Sequence, residues 1–413
     1  MAHPAFPGPS ARADVAPFHV MEVLSAASAR QRTHGDVVSL CAGQPAAGAP
    51  KPVLDAAATA LTSGDLGYTE QLGIPELREA IAGHYARRYG FTVDPSDVIV
   101  TTGSSSGFLL SFLAAFDTGA RVAMARPGYP AYRNLLAALG CEVVEFPTGA
   151  ATRFQPTVEQ LDQLGDIDGL IIASPSNPTG TTLAADELAA ISDWCAARGA
   201  QLISDEIYHG ITFSGEPDVS AWQYGRDAIV LGSFSKYFGM TGWRLGWMLA
   251  PKRLHRAVDV LVGNFTICAP ALSQRAAVYA FTDAAYTELD GHVERYRENR
   301  DILLDGLRRM GINKIAPVDG AFYAYADVSE FTIDSLRWCQ WLLEETGVAI
   351  TPGIDFDPVD GGKFVRFSFA GSAEDVIECL RRLEPVLRGY GATRKRPGDS
   401  PRTRASRPLW WQG

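Results

Sequence analysis

The chain has 413 residues, 46% of them hydrophobic, which is enough for two domains with sizeable cores. Its formal net charge of −10 repels nucleic acid and anionic membranes, so neither is predicted as a partner. The cysteines are scattered without a CxxC pair, and no run of about 18 apolar residues occurs. Disulfides, a metal site and a membrane span are therefore not expected. Because no signal peptide is visible, we predict a cytoplasmic protein.

The middle of the chain alternates short apolar runs with helical patterns. We predict seven buried strands, at residues 98–100, 121–124, 142–144, 170–172, 202–204, 229–231 and 245–248. Helices are predicted between several of them, for example at 131–139 and 185–198. Continuous apolar strands separated by helices are typical of an α/β fold, with a mostly parallel sheet covered on both faces. In such sheets ligands bind beyond the carboxyl ends of the strands.

The pattern changes after about residue 280. We predict a helix, a strand, a helix, a strand and a last helix, at 284–309, 321–326, 335–346, 364–369 and 373–387. This order indicates a smaller α+β domain, and a helix at 18–30 is expected to pack with it. The predicted division is a flexible N-terminus, the first part of the small domain, the large domain, the rest of the small domain and a disordered basic tail, at 1–13, 14–45, 46–290, 291–390 and 391–413.

A lysine and an arginine lie in a stretch rich in serine and glycine, GSFSKYFGMTGWR at 232–244, directly after a predicted strand. Taken alone, Lys236 could be a solvated loop residue. The serines before it and Arg244 eight residues after it suit a phosphate, because a guanidinium offers paired donors. An amine beside a bound phosphate suits a Schiff base to an aldehyde cofactor.

Three other polar signals follow predicted strands. Asp205 comes directly after the strand at 202–204, where a helix N-cap is the simpler interpretation. Asn177 lies in SPSNPTG, which also contains ordinary turn dipeptides. Ser104 and Ser105 open a predicted helix, where free backbone N–H groups can hold an anion, although a plain tight turn explains them equally well.

Together and in this order, the motifs resemble the fold-type-I pyridoxal-phosphate (PLP) enzymes. Among these, the sequence is similar to the class I/II aminotransferases related to aspartate aminotransferase, over about residues 36–388. The resemblance rests on SFSK with an arginine eight residues after its lysine, SDEIY, SPSNPTG, GYTEQLGIPELREAI, AGQP, RPGYPAY, TPGIDF and VRFSFA. It implies a large domain with a mostly parallel seven-stranded sheet and a smaller, discontinuous α+β domain.

The resemblance implies roles around the cofactor ring. Lys236 looks like the lysine that forms the Schiff base and then moves the substrate proton. Asp205 looks like the carboxylate that keeps the pyridine nitrogen protonated, as an electron sink requires. Tyr208 and Asn177 are similar to the pair that hydrogen-bonds the phenolic oxygen. Tyr129 looks like the aromatic residue that stacks on the ring, a position where aspartate aminotransferases usually have tryptophan. The alternative interpretation of Tyr129 is a core aromatic residue.

The resemblance also implies ligands for the phosphate and the substrate. The phosphate ligands within one subunit would be Ser104, Ser105, Ser233 and Arg244. Tyr68 looks like a phosphate ligand donated by the neighbouring subunit, which predicts a homodimer with shared active sites; its alternative is a surface aromatic. Arg366 looks like the clamp for the substrate α-carboxylate, helped by Asn177 and the backbone N–H of Gly43. A structural ion pair is the alternative for Arg366.

Three functions are compatible with these residues. The first is transfer of an amino group from an L-amino acid to a 2-oxo acid through a PLP Schiff base on Lys236. A PLP-dependent lyase or synthase would use the same cofactor residues. The aminotransferase-like half of a transcription regulator would need a DNA-binding region, and about 35 residues before the matching part are too few for one. In one subgroup of the aspartate aminotransferases that the sequence resembles, an arginine from the partner's loop binds a dicarboxylic side chain. The comparable loop here, at 262–269, contains no Arg or Lys, so a neutral or aromatic substrate side chain is at least as plausible as a dicarboxylic one.

Overall fold

The computed structural model describes residues 8–64 and 66–393, with side chains as far as residue 388. The α-helices are α1 (His19–His34), α2 (Lys51–Ser63), α3 (Pro75–Tyr89), α4 (Gly103–Ala115), α5 (Pro130–Leu139), α6 (Val158–Leu161), α7 (Ala185–Arg198), α8 (Lys252–Phe265), α9 (Ala271–Ala277), α10 (Asp283–Arg309), α11 (Ser335–Thr346) and α12 (Ala373–Thr393). The strands are β1 (Val38–Ser39), β2 (Val98–Thr101), β3 (Arg121–Arg126), β4 (Glu142–Pro147), β5 (Gly169–Ala173), β6 (Gln201–Asp205), β7 (Ile229–Ser233), β8 (Gly246–Leu249), β9 (Tyr323–Asp327), β10 (Val348–Ala349), β11 (Thr351–Pro352) and β12 (Phe364–Ser368).

Strands β2 to β8 form one seven-stranded sheet, in the order β2-β8-β7-β6-β5-β3-β4. Only β8 runs antiparallel to its two neighbours, and the other neighbouring strands pair in parallel. These are the seven strands that the sequence predicts, so the α/β class and the mostly parallel sheet are confirmed.

Both faces of this sheet are buried because its strands are apolar on both sides. Ile99 packs in one core with residues of α4, α5 and α8. Its neighbours Val98 and Val100 pack in the other core, with residues of α3 and α7. Successive side chains of a strand point to opposite faces, so a strand without polar alternation needs a helical layer on each side.

Three chemically important segments leave the sheet side by side. In register, Ala173 of β5 lies beside Asp205 of β6, and Asp205 lies beside Leu231 of β7. The segments with Asn177 and Lys236 begin just beyond β5 and β7. Because carboxyl ends of neighbouring parallel strands meet at one edge, these three residues are brought to the same end of the sheet.

Two further sheets involve the C-terminal third of the chain. Strands β11, β12 and β9 form an antiparallel sheet, and β1 pairs in parallel with β10. Helix α1 packs with α11 and β10 through a small core that contains Val20 and Val23. The predicted boundary between 290 and 291 falls inside the continuous helix α10. The division into domains stays a prediction.

Some predicted boundaries differ from the structure. Strand β9 begins at Tyr323 and not at 321, because Ala321 has a φ of 55°, outside the strand region. Helix α1 continues to His34, where Gly35 adopts the left-handed conformation that ends it. Helix α12 extends to Thr393, beyond its predicted end at 387. Residues 1–7 and 394–413 lie outside the described residues. No helix of the described part is long and apolar enough to cross a membrane.

Candidate active site

A cavity of about 250 Å³ lies beyond the carboxyl ends of β5, β6 and β7. Ten of the twelve predicted site residues line it: Gly43, Ser104, Ser105, Tyr129, Asn177, Asp205, Tyr208, Lys236, Arg244 and Arg366. They come from seven separate segments of the sequence. The fold therefore brings together most of the residues that the motifs single out, although their individual roles stay predictions.

Lys236 follows β7, and its half-buried side chain lines the cavity. Its Nζ donates a hydrogen bond to the carbonyl oxygen of Gly43 at 2.7 Å and lies 5.6 Å from the centre of the Tyr208 ring. Burial lowers the pKa of Lys236 to about 8, and the positive charge of Arg366 acts in the same direction. A lysine with a lowered pKa is more often unprotonated at neutral pH, so it is a better nucleophile and base.

Asp205 is the last residue of β6, and its carboxylate is buried. Its Oδ1 accepts a hydrogen bond from the backbone N–H of Ile207 at 3.1 Å, and Oδ2 accepts one from the hydroxyl of Tyr132. Burial raises the pKa of Asp205 to about 6, against the effect of these two hydrogen bonds. A buried carboxylate is stabilised by a cation placed against it. The residue is therefore suited to hold a positively charged ring nitrogen.

Arg366 projects from β12 with partners that leave part of its guanidinium free. Its Nη1 donates to Oδ1 of Asn177 at 2.8 Å, and Nη2 donates to the carbonyl oxygen of Cys41 at 2.8 Å. Its Nε is buried without a hydrogen-bond partner. The guanidinium also lies 4.3 Å from the centre of the Tyr323 ring. These partners are neutral, so within the described residues Arg366 has the features of an anion site and not of a structural ion pair.

The first turn of α4 and Arg244 form a cradle at one end of the cavity. Gly103 opens the helix with a φ of 73°, and a Cβ there would lie 2.6 Å from Nη2 of Arg244. A Cβ on Gly246 would lie 2.8 Å from the backbone N of Ser104. The first N–H groups of a helix have no partner within it, and together with a guanidinium they suit a phosphate.

Two predicted residues lie elsewhere. Ser233 is buried at the end of β7, where its Oγ accepts the backbone N–H of Ser235 at 3.0 Å, and Ser235 lines the cavity instead. Tyr68 is 82% exposed and does not line the cavity of its own chain. A contact of Tyr68 with a phosphate therefore requires a second subunit. Both roles stay predictions.

Several residues in or beside the cavity were not predicted from the sequence. The hydroxyl of Tyr323 shares a hydrogen bond of 2.8 Å with that of Tyr208. It also lies so close to Gly43 that a Cβ on this glycine would overlap the Tyr323 hydroxyl. Tyr132, which donates to Asp205, lies within the motif RPGYPAY and could have been noticed there. Phe18, Val20, Met21 and Leu24 of the N-terminal segment also line the cavity. Their apolar pattern indicates core packing, and nothing local distinguishes a cavity wall from a core.

Residues 35–383 match the family described as Aminotransferase class I and II. Over 374 residues the chain is 62% identical to the valine–pyruvate aminotransferase of Mycobacterium tuberculosis, covering 90% of this chain and 96% of that one. Over 375 residues it is 34% identical to the aspartate aminotransferase of Thermotoga maritima, covering 89% and 96% of the two chains.

Solved structures show the same relationship. A crystal structure of an aminotransferase from Mycobacterium tuberculosis superposes with a TM-score of 0.91 at 60% identity, covering 93% of this chain and all of that one. The aspartate aminotransferase of Thermus thermophilus with maleate gives a TM-score of 0.87 at 33% identity, covering 92% of this chain. The lyase, synthase and regulator alternatives are not favoured by these similarities. The chain belongs to the class I and II aminotransferases, and it is an enzyme that transfers an amino group between an amino acid and a 2-oxo acid.

Proposed function

We propose that the protein binds PLP in the cavity through a covalent bond to Lys236 and exchanges amino groups between a neutral amino acid, such as valine, and pyruvate. The observation that carries the proposal is the Lys236 amine, which lines the same cavity as the buried Asp205 and has a lowered pKa. Burying an amine without a counter-ion is unfavourable, and groups with such shifted pKa values in a cavity are often functional.

The other cavity residues fit the cofactor. Arg244 packs closely against the first turn of α4, since a Cβ on Gly103 would lie 2.6 Å from its Nη2, and a guanidinium beside free helix N–H groups supports a phosphate there. The free Nε of Arg366 supports a carboxylate of the substrate. When bound, PLP supplies an aldehyde for the amino group and a ring that accepts electrons.

The protein's own groups then have distinct tasks. Lys236 forms the covalent bond and, once displaced by the substrate amine, removes the proton from the substrate Cα as a general base. With the cofactor bound, Asp205 would hold the proton on the ring nitrogen. Tyr208 and Asn177 would donate to the phenolic oxygen, and Tyr129 would pack against the ring. Arg366 orients the α-carboxylate so that the Cα proton faces the lysine amine.

The choice of substrate rests on similarity and on charge. The relative of 62% identity is named for valine and pyruvate. Among the described residues, the charged side chains that line the cavity are Asp205, Lys236, Arg244 and Arg366. Each has a proposed task with the cofactor or the α-carboxylate. A second carboxylate on the substrate would therefore lack a cation, and a buried charge without a partner is unfavourable.

An assay of the purified enzyme with PLP tests this proposal. We expect alanine to form from valine and pyruvate, with a kcat/KM at least about tenfold higher than for aspartate with 2-oxoglutarate. Assays without a 2-oxo acid are the control, because amino transfer stops after one turnover while a lyase continues to release ammonia. Continued ammonia release, or a preference for aspartate, would contradict the proposal.

We further propose a homodimer in the cytoplasm whose subunits share active sites. The six cysteines are free thiols, which suits a reducing compartment. Large apolar side chains are exposed at the end of α8 and just after it, among them Phe265 at 54% and Ile267 at 47%. The loop of Tyr68 lies against α8, since a Cβ on Gly263 would lie 2.5 Å from Oε1 of Gln71. An exposed apolar surface of this kind is typical of a contact between subunits.

Replacing Tyr68 by Phe tests the shared site. A hydroxyl that donates to a charged phosphate contributes roughly 1.5–3 kcal/mol, so Tyr68→Phe should weaken PLP retention about tenfold or more. The fold should be unaffected, because the Tyr68 side chain is exposed. Equilibrium titration with PLP measures this affinity, and sedimentation of the holoenzyme at low concentration measures the dimer.

Tyr279→Phe is the matched control, because it removes the hydroxyl of another exposed tyrosine that does not line the cavity. It should leave PLP affinity unchanged. An active monomer, with equal PLP affinity in Tyr68→Phe and the unmodified enzyme, would defeat the shared-site proposal.

A further inference from the structure

Helix α1 forms an apolar wall of the cavity. Its lining residues are Val20, Met21 and Leu24, preceded by Phe18. The ring of Phe18 meets that of Tyr129 edge to face, with ring centres 5.9 Å apart. Met21 is 58% exposed, so an apolar side chain remains open to solvent at the rim. The charged residues of α1 do not line the cavity, so this wall is uncharged.

The wall depends on a carboxylate far away in the sequence. Helix α1 begins after Phe18, which provides no side-chain cap. Instead, Oδ1 of Asp355 accepts the backbone N–H of His19 at 2.9 Å, and Oδ2 accepts that of Val20 at 2.8 Å. Asp355 is buried, and a carboxylate at a helix N-terminus also interacts favourably with the helix dipole.

Asp355 is itself fixed to the segment that carries Tyr129. Arg133 of α5 donates to the carbonyl oxygens of Asp355 at 3.1 Å and of Phe356 at 2.9 Å. Asn134 donates to the carbonyl oxygen of Ala16, just before α1, at 3.1 Å. The start of α1, the segment of Asp355 and helix α5 thus form one hydrogen-bonded unit beside the cavity.

We propose that Asp355 is a positioning residue that holds α1 in place as the wall for the substrate side chain. On that wall, Met21 and Leu24 select uncharged side chains over carboxylates. The inference rests on the proposed aminotransferase function and adds to it the residues that determine specificity. A longer apolar side chain makes more contact with the wall than a methyl group, so the effect of Asp355 should grow with the size of the substrate side chain.

Single-turnover mixing of the PLP-loaded enzyme with alanine or valine tests the role of Asp355. The change in cofactor absorbance gives a limiting rate and an apparent dissociation constant for each donor without any 2-oxo acid. For Asp355→Asn, which can accept only one of the two N–H groups, we expect the valine constant to rise about tenfold. The alanine constant should rise less than about threefold, because a methyl group has little apolar surface to bury.

Glu22→Gln is the matched control, since Glu22 lies in the same turn of α1 but bonds only His19 Nδ1, at the surface. It should react with both donors like the unmodified enzyme. Equal changes for alanine and valine in Asp355→Asn, or no change for either, would overturn the role of Asp355.

Met21→Lys tests the selectivity of the wall independently. The position is exposed, so the variant should fold, and a cation there should raise the rate with glutamate relative to valine about tenfold. An unchanged ratio would overturn the selective role of the wall. If the unmodified enzyme reacted with no amino donor, the proposed function itself would fail. If the unmodified enzyme reacts with valine, and each variant changes the rates and dissociation constants of all donors equally, only the inference about α1 fails.

Discussion

Replacing Lys236 by Ala should abolish the covalent attachment of PLP and lower turnover at least about 1,000-fold, because it removes both the nucleophile and the general base. Loss of the visible absorption of the lysine-linked cofactor, measured together with the rate of alanine formation, checks this expectation. The chain should still fold, since the change removes a half-buried amine whose hydrogen bond is to a neutral carbonyl group. An intact circular dichroism spectrum and melting curve would establish that.

Lys51→Ala is the matched control for Lys236→Ala. Lys51 is exposed and pairs with Asp55 on the surface of α2, so its loss should change neither absorption nor turnover. Comparable turnover in Lys236→Ala and the unmodified enzyme would mean that another group performs the proton transfer.

Replacing Asp205 by Ala should lower turnover on the order of 100-fold or more, because a preorganised charge next to the reacting system is lost. Cofactor content should fall much less, since Lys236 and the phosphate cradle remain. The comparison of turnover per bound cofactor with cofactor content separates these two effects. Near-normal turnover with cofactor bound would falsify the role of Asp205 as the partner of the ring nitrogen.

Tyr132→Phe gives a graded version of the same test. It removes only the hydroxyl that donates to Oδ2 of Asp205, while the carboxylate stays. Turnover should fall by a smaller factor, about tenfold, because one hydrogen bond to a charged group is lost. A loss of turnover as large as in Asp205→Ala would indicate that the substitution disturbs the packing of the site, and that the hydroxyl does more than orient the carboxylate.

The sequence predicts the sheet well because its strands are apolar on both faces. Segments such as β5 and β6 carry a local signal, and their register follows from helical crossovers that keep the strands parallel. Asp205 and Lys236 could be predicted as site residues for the same reason. Each lies at or just beyond the carboxyl end of a recognisable strand, and such ends meet at one edge.

Contacts between distant segments could not be predicted in this way. The bond between Asp355 and the start of α1 joins residues more than 330 positions apart, and neither segment carries a local sign of the other. Tyr323 reads as a core aromatic in its strand, although its hydroxyl reaches Tyr208. The predicted ends of helices and strands were wrong where the backbone conformation, and not the side-chain pattern, determines where the element begins. Ala321, with its positive φ, is an example.

Reduction with borohydride followed by peptide mapping tests the central claim most directly, because it traps the cofactor on the amine that holds it. The chain contains only six lysines, so the assignment is unambiguous: Lys51, Lys236, Lys252, Lys314, Lys363 and Lys395. We expect one reduced cofactor per chain, on the peptide that contains Lys236. A cofactor linked to any of the other five lysines, or no linked cofactor in active enzyme, would contradict the account.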